Sequence, residues 1–130
     1  MSNNDIDRKI AVIFATDLVG YSKHMEKDEN ATLRGLRECN KIIEPLIKKQ
    51  KGRIFNTGGD SVFAEFPSAV AAVDTAVEFQ KQIKARNDKD TTDVKLEYRI
   101  GVNMGDVVKE GDNLLGDGVN IAARLEALAQ

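Results

Sequence analysis

The sequence predicts an α+β fold made of one domain, with elements in the order β-α-β-β-α-β, then a short strand and a final helix. Three observations predict it. The chain has 130 residues, enough for one domain core and too few for two. Apolar runs of strand length alternate with stretches in which apolar residues recur every three or four positions. A Gly-Gly-Asp turn joins two of those runs as a hairpin.

The first half of the chain predicts a strand, a helix and the hairpin. Residues 9–16, KIAVIFAT, form a continuous apolar run that suits a central strand covered on both faces. A helix is expected over residues 31–52, with Gly52 as its stop. The hairpin strands flank the turn in RIFNTGGDSVFAEF, residues 53–66. Residues 1–8 are expected to be a flexible N-terminus, and residues 9–130 the folded domain.

The second half predicts a helix, a strand, a short strand and a last helix. Pro67 opens a helix whose apolar stripe includes Phe79 and Ile83, and a polar loop follows over residues 87–93. Residues 94–104, VKLEYRIGVNM, alternate strictly and predict a strand, with a further short strand over 106–109. The last helix is expected to begin near Asp117.

Composition excludes several classes of protein. Nineteen Lys and Arg oppose twenty-one Asp and Glu, so the net charge of −2 gives no bulk attraction for nucleic acid. No apolar run is long enough to cross a membrane. Cys39 is the only cysteine and the opening residues lack an apolar signal core, so a cytoplasmic protein is expected.

The order β-α-β-β-α-β is that of the ferredoxin-like, or split βαβ, arrangement. Its third strand pairs antiparallel with its first, which would make Asp17 and Asp60 neighbours at adjacent strand ends. Two such carboxylates repel unless a cation or proton lies between them, and hard oxygen ligands suit Mg²⁺ or Mn²⁺. The alternatives are local roles: Asp17 as a helix cap and Asp60 as a turn residue.

Two further motifs suggest phosphate chemistry. Residues 16–23, TDLVGYSK, leave the first strand through Asp17 and Gly20, where exposed backbone amides suit a phosphate. In GDGVNIAARLE, residues 116–126, Asn120 and Arg124 are four apart and share one helical face. Arg matches phosphate geometry, although a solvated helix face is the ordinary alternative for both residues.

Three segments together resemble one family: FATDLVGYS (14–22), TGGDSVFAEF (57–66) and GDGVNIAARLEAL (116–128) are similar to the catalytic domain of class III adenylate and guanylate cyclases. The resemblance implies two Mg²⁺ or Mn²⁺ ions held by Asp17, Asp60 and the carbonyl of Leu18. It also implies a triphosphate held by the loops that carry the first and second motifs: Gly20, Tyr21, Ser22 and Gly59. Asn120 and Arg124 match the family's transition-state pair.

The same resemblance implies the reaction and the assembly. A ribose 3′-hydroxyl attacks the α-phosphorus of a nucleoside triphosphate, which closes a 3′,5′-cyclic ring and releases pyrophosphate. The family works as a head-to-tail homodimer, in which one chain supplies the two aspartates and the other supplies Asn120 and Arg124. ATP is the expected substrate, with GTP as the alternative.

The sequence departs from the family pattern at three places. The two purine-reading positions fall on Asn56 and Asn113, which match neither the adenylate nor the guanylate pattern. The family's triphosphate-binding lysine, carried by later strands, has no counterpart before Gln130, as in a fragment or a shortened chain. A catalytically impaired, nucleotide-binding or regulatory domain is therefore an alternative. A diguanylate cyclase, suggested by GGDSVF, and an RNA-binding module are weaker alternatives.

Overall fold

The computed structural model describes residues 7–89, 95–111 and 113–116. Within them the chain forms five strands and three helices. In chain order these are β1 (Asp7–Leu18), α1 (Tyr21–Lys27), α2 (Glu29–Lys49), β2 (Arg53–Gly58), β3 (Ser61–Phe66), α3 (Ala69–Lys89), β4 (Tyr98–Glu110) and β5 (Asn113–Leu115). None of the helices in these ranges is long and apolar enough to cross a membrane.

The strands form a single antiparallel sheet in the order β2-β3-β1-β4-β5. Strand β1 is therefore central, as its continuous apolar run predicts, with β3 on one side and β4 on the other. The predicted antiparallel pairing of the first and third strands is confirmed, with Thr16 opposite Val62 near the end of β1. The α+β, ferredoxin-like core expected from the element order is thus the observed architecture.

The sheet buries apolar side chains on both faces. On the first face, alternate β1 residues such as Phe14 and Leu18 pack with α2 and α3 residues such as Ile43 and Phe79. The second face has its own buried cluster, whose members are Ala11, Ile13, Ala15, Val107 and Leu114. Because side chains alternate along a strand, Asp17 belongs to this second face, one step beyond Ala15.

Several element boundaries differ from the sequence predictions, and the short helix α1 was not predicted. Strand β1 begins at Asp7, which pairs with Lys109, so residues 7 and 8 belong to the sheet and not to the flexible terminus predicted over 1–8. The strands predicted over 94–104 and 106–109 are one strand that begins at Tyr98, because β4 pairs with β1 without a break from Tyr98 to Lys109. Residues 95–97 precede this strand. Helix α3 continues through Lys89, beyond the predicted start of the loop. The final helix predicted from Asp117 lies outside the described residues.

The end of α2 shows how its stop is built. The amides of Lys51 and Gly52 donate to the carbonyls of Lys48 and Ile47, and the left-handed residue is Lys51, with φ of 63°. Sequence reasoning gave the stop to Gly52, but the conformation that favours glycine lies one residue earlier. Gly52 is needed for space, since a Cβ there would lie 2.7 Å from the Phe66 ring.

Candidate active site

Asp17 and Asp60 come together where β1 ends beside the turn between β2 and β3. Asp17 is the penultimate residue of β1, and the backbone amide of Leu18 donates to the Asp60 carboxylate, with 2.9 Å between Leu18 N and Asp60 Oδ2. This hydrogen bond spans 42 residues of sequence and fixes the hairpin tip against the strand end. The structure therefore places the two sequence-predicted carboxylates at one end of the sheet.

The hairpin turn explains the glycine before Asp60. Gly58 pairs with Ser61, which leaves Gly59 and Asp60 as the two turn residues. Gly59 has φ of 56°, whereas Asp60 is not among the described residues with positive φ. That combination is typical of a type II′ turn, which favours Gly at its first central position and matches the twist of the strands. A Cβ on Gly59 would lie 4.0 Å from the Tyr21 ring, so the turn also faces the start of α1.

Sequence reasoning missed Arg99, which holds Asp17. Arg99 lies directly opposite Asp17 in the pairing of β4 with β1. Its guanidinium donates twice, with 3.1 Å from Nε to Asp17 Oδ1 and 3.0 Å from Nη2 to Asp17 Oδ2. Such a two-pronged contact is the strong form of an Arg–carboxylate pair. The sequence offered one signal for this position: the alternation of residues 94–104 predicts that Arg99 lies on the opposite face of the sheet from Tyr98.

The loop between β1 and α1 carries three of the predicted triphosphate-binding residues. Gly20 has a left-handed conformation with φ of 68°, and no side chain caps the helix that starts at Tyr21. The amide of Val19 is already taken, because it donates to the Glu97 carbonyl at 2.8 Å. Gly20 and Ser22 are exposed and Tyr21 is half-buried, so this loop opens to solvent beside the turn at Gly59.

The predicted purine-reading residues lie on β2 and β5, which are the two edge strands of the sheet. Parts of these two strands nevertheless lie close to each other. Asn56 is exposed and follows a bulge in the pairing of β2 with β3. Asn113 is half-buried, and its side-chain oxygen accepts from the amide of Leu114 at 2.9 Å. In this conformation its amide NH₂ is the group left to meet a ligand. Asn120 and Arg124 lie outside the described residues.

A buried phenol lies under this end of the sheet. Burial raises the pKa of Tyr98, and the neighbouring Cys39 and the negative charge of Asp60 raise it further. Burial likewise raises the pKa of the Cys39 thiol. Both groups are therefore neutral near pH 7.

The donor set fits a hard divalent cation. The two carboxylates and the Leu18 carbonyl offer oxygen ligands, and a positive group already lies against Asp17 in the form of the Arg99 guanidinium. No group of three or more His, Cys, Asp or Glu side chains suited to a metal occurs in the described ranges. A cation here would take its remaining ligands from water or from a phosphate substrate, as Mg²⁺ commonly does.

Comparison with known proteins identifies the family. The model of the adenylate and guanylate cyclase catalytic domain matches residues 3–130. This chain belongs to that family. A Rhizobium meliloti (strain 1021) protein named as adenylate cyclase 3 is 45% identical over 130 residues, which cover 99% of this chain. The chain spans only 22% of that protein's length.

Solved cyclase structures have the same fold. An adenylate/guanylate cyclase/hydrolase from Silicibacter pomeroyi matches with a TM-score of 0.87 and 37% identity, over 97% of this chain and 74% of that one. A bacterial light-regulated adenylyl cyclase matches with a TM-score of 0.85 and 28% identity, over 94% of this chain and 71% of that one. The cyclase domain described above thus has the architecture of its family.

Proposed function

We propose that this chain is the catalytic domain of a nucleotide cyclase that converts ATP to 3′,5′-cyclic AMP and pyrophosphate for signal transduction. The proposal includes two Mg²⁺ or Mn²⁺ ions, a homodimer and a cytoplasmic location, where ATP is available. The observation that carries it is the hydrogen bond from the Leu18 amide to Asp60, since it brings two carboxylates to one strand end in a chain of the cyclase family.

The reaction joins the ribose O3′ to the α-phosphorus and breaks the bond from that phosphorus to the bridging oxygen of pyrophosphate. Bound Mg²⁺ or Mn²⁺ supplies two effects, a lower pKa for the 3′-hydroxyl and neutralisation of phosphate charge. Asp17, Asp60 and the Leu18 carbonyl would hold the cations. The exposed loop at Gly20–Ser22 and the turn at Gly59 lie beside these residues and would offer backbone amides to the triphosphate.

The remaining roles belong to the second chain of the dimer. Asn120 orients the ribose and Arg124 neutralises charge that develops around the α-phosphorus. The contact between β2 and β5 supports one shared purine pocket on that chain for Asn56 and Asn113. A monomer would then hold the carboxylates of one site and the purine-reading residues of another.

ATP is preferred over GTP in this proposal because relatives in Rhizobium meliloti and Streptomyces coelicolor are named as adenylate cyclases. The two asparagines argue only for weak discrimination. Neither carries a charge, and one misplaced hydrogen bond costs about 1–3 kcal/mol.

The test is product analysis with the purified chain. We expect incubation with ATP and Mn²⁺ to give cyclic AMP and an equal amount of pyrophosphate, and GTP to give a smaller amount of cyclic GMP. A cyclic dinucleotide from GTP would instead identify a diguanylate cyclase. Nucleotide binding without any product would identify a cyclase-like regulatory domain, and either result would overturn the proposal.

A further inference from the structure

The contact between Arg99 and Asp17 uses both oxygens of the carboxylate. Two guanidinium nitrogens lie 3.0 and 3.1 Å from the two Asp17 oxygens, and the side chains keep 30% and 20% of their surface exposed. The residues face each other across β1 and β4, so strand pairing holds them together without any loop movement. The pair is therefore a fixed, partly buried part of the sheet end.

The three described side chains at the junction of β1 with the hairpin turn carry unequal charge. Asp17 and Asp60 contribute two formal negative charges, and Arg99 contributes one positive charge. A guanidinium keeps its proton throughout the pH range in which proteins are folded, so it cannot leave Asp17 by titration. It can leave only by rotating its side chain away. While it stays, it uses one lone pair of each Asp17 oxygen and its positive charge repels a second cation.

We propose that Arg99 is the internal counter-cation of Asp17, which stabilises the two carboxylates before metal arrives and must be displaced when a divalent cation binds Asp17. This inference rests on the metal role given to Asp17 in the proposed function. Arg99 would act on metal binding only through its contact with Asp17. Because this contact must be broken first, the chain without nucleotide should bind metal more weakly than two adjacent carboxylates without an arginine would.

The experiment is a Mn²⁺ titration of the nucleotide-free chain, followed by electron paramagnetic resonance of the unbound ion. Arg99→Gln removes the charge and keeps a polar side chain of similar reach. We expect this variant to bind Mn²⁺ about two- to fivefold more tightly than the natural chain, the size of one partly exposed ion pair. The gain should vanish in the double variant Arg99→Gln, Asp17→Asn, because the gained site is Asp17.

Arg53→Gln is the matched control. Arg53 is also paired with a carboxylate directly across the sheet, that of Glu65, but it lies away from Asp17. Its loss should leave the Mn²⁺ affinity within twofold of the natural value. An equal gain in both variants would mean that overall charge governs the affinity, and it would overturn the role of Arg99.

A second variant, Arg99→Lys, and a second measurement, the melting temperature, keep the test valid if Arg99→Gln folds poorly. Arg99→Lys keeps the charge and loses the two-pronged contact, so its affinity should lie between those of the natural chain and Arg99→Gln. Mn²⁺ should raise the melting temperature more in Arg99→Gln than in the natural chain, because the ion replaces the missing positive charge. Unchanged affinity in both Arg99 variants would overturn the inference.

The inference and the proposed function fail separately. Unchanged Mn²⁺ affinity in the Arg99 variants, with cyclic AMP still made by the natural chain, would remove only the inference. A gain in affinity that depends on Asp17, with no cyclic nucleotide made by the natural chain, would support the inference and remove the proposed function.

Discussion

Two ion clusters lie at opposite ends of the second face of the sheet, and they differ in the sign of their net charge. At one end Lys9 and Arg53 both bond to Glu65, which leaves one excess positive charge. At the other end Arg99 bonds to Asp17 while Asp60 lies beside it, which leaves one excess negative charge. We call them the Glu65 cluster and the Asp17 cluster.

The two clusters are a fair comparison because their central carboxylates are about equally buried. The side chains of Glu65 and Asp17 keep 19% and 20% of their surface exposed, and each lies opposite an arginine in the adjacent strand. Among the contacts of the described residues, cations outnumber the carboxylate in the Glu65 cluster. In the Asp17 cluster the carboxylates outnumber the cation, which is the property expected of a site that takes up a metal ion.

The largest expected effect is on turnover. Asp60→Asn keeps an oxygen that can accept from the Leu18 amide but removes the charge, so cyclic AMP production should fall by about a hundredfold or more. Glu65→Gln removes the same charge from the other cluster and should leave the rate near the natural value. Equal losses in both variants, at equal folded content by circular dichroism, would show that the clusters do not differ in function.

The next effect tests whether the Asp17 cluster is completed by a second chain. Inactive Asp17→Ala and inactive Arg124→Ala chains, mixed in equal amounts, should regain about a quarter of the natural rate. Half of the dimers are then mixed, and each mixed dimer has one intact site of two. Mixing Asp17→Ala with Asp60→Ala is the control and should restore nothing, since both changes fall in the same half-site. Restoration in the control pair would contradict the proposed division of the site.

A smaller effect concerns the base. The double variant Asn56→Lys, Asn113→Asp supplies a donor and an acceptor that suit adenine, and it should raise the ratio of ATP to GTP turnover roughly tenfold. Asn113→Asp keeps an oxygen that can accept from the Leu114 amide and replaces the side-chain NH₂ donor with a second acceptor. Competition between the two nucleotides in one reaction measures the ratio. A ratio that stays at the natural value would show that other residues read the purine.

The smallest effect is on stability, and here the Glu65 cluster should dominate. Partial burial would raise the pKa of Glu65, but hydrogen bonds and charge from Lys9 and Arg53 outweigh it and hold the pKa below its ordinary value of 4.5. Stabilisation by this carboxylate is therefore complete above that value and is lost as the pH falls through the lower, folded-state pKa. Urea unfolding should show a cost for Glu65→Gln of about 1 kcal/mol at pH 7 and less at pH 3. An equal cost at both pH values would contradict this assignment.

The placement of Asp17 and Asp60 at the same end of the sheet was predictable from the sequence, because it follows from the order of the elements. Once the third strand pairs antiparallel with the first, the end of one meets the start of the other, and the turn glycine at position 59 fixes the hairpin tip. Local pattern and topology were sufficient for these features.

The role of Arg99 was not predictable in the same way, because it depends on register. The apolar alternation of residues 94–104 ends at Asp106, and two strands were predicted there, whereas β4 continues through Asp106 and pairs with β1 from Tyr98 to Lys109. Only that long pairing sets Arg99 opposite Asp17. The orientation of Asn113 depends on a hydrogen bond to its own neighbour, which sequence spacing does not reveal. Contacts that depend on exact register or on a side-chain rotamer require the structure.

The most direct test of the difference between the clusters is anomalous scattering from crystals of the chain grown with Mn²⁺ and a non-cyclising ATP analogue. We expect manganese peaks between the carboxylates of Asp17 and Asp60, with the Arg99 guanidinium moved off Asp17, and no peak beside Glu65. Manganese absent from the Asp17 cluster, or bound equally at Glu65, would contradict the central claim that the excess negative charge at Asp17 and Asp60 marks the metal site.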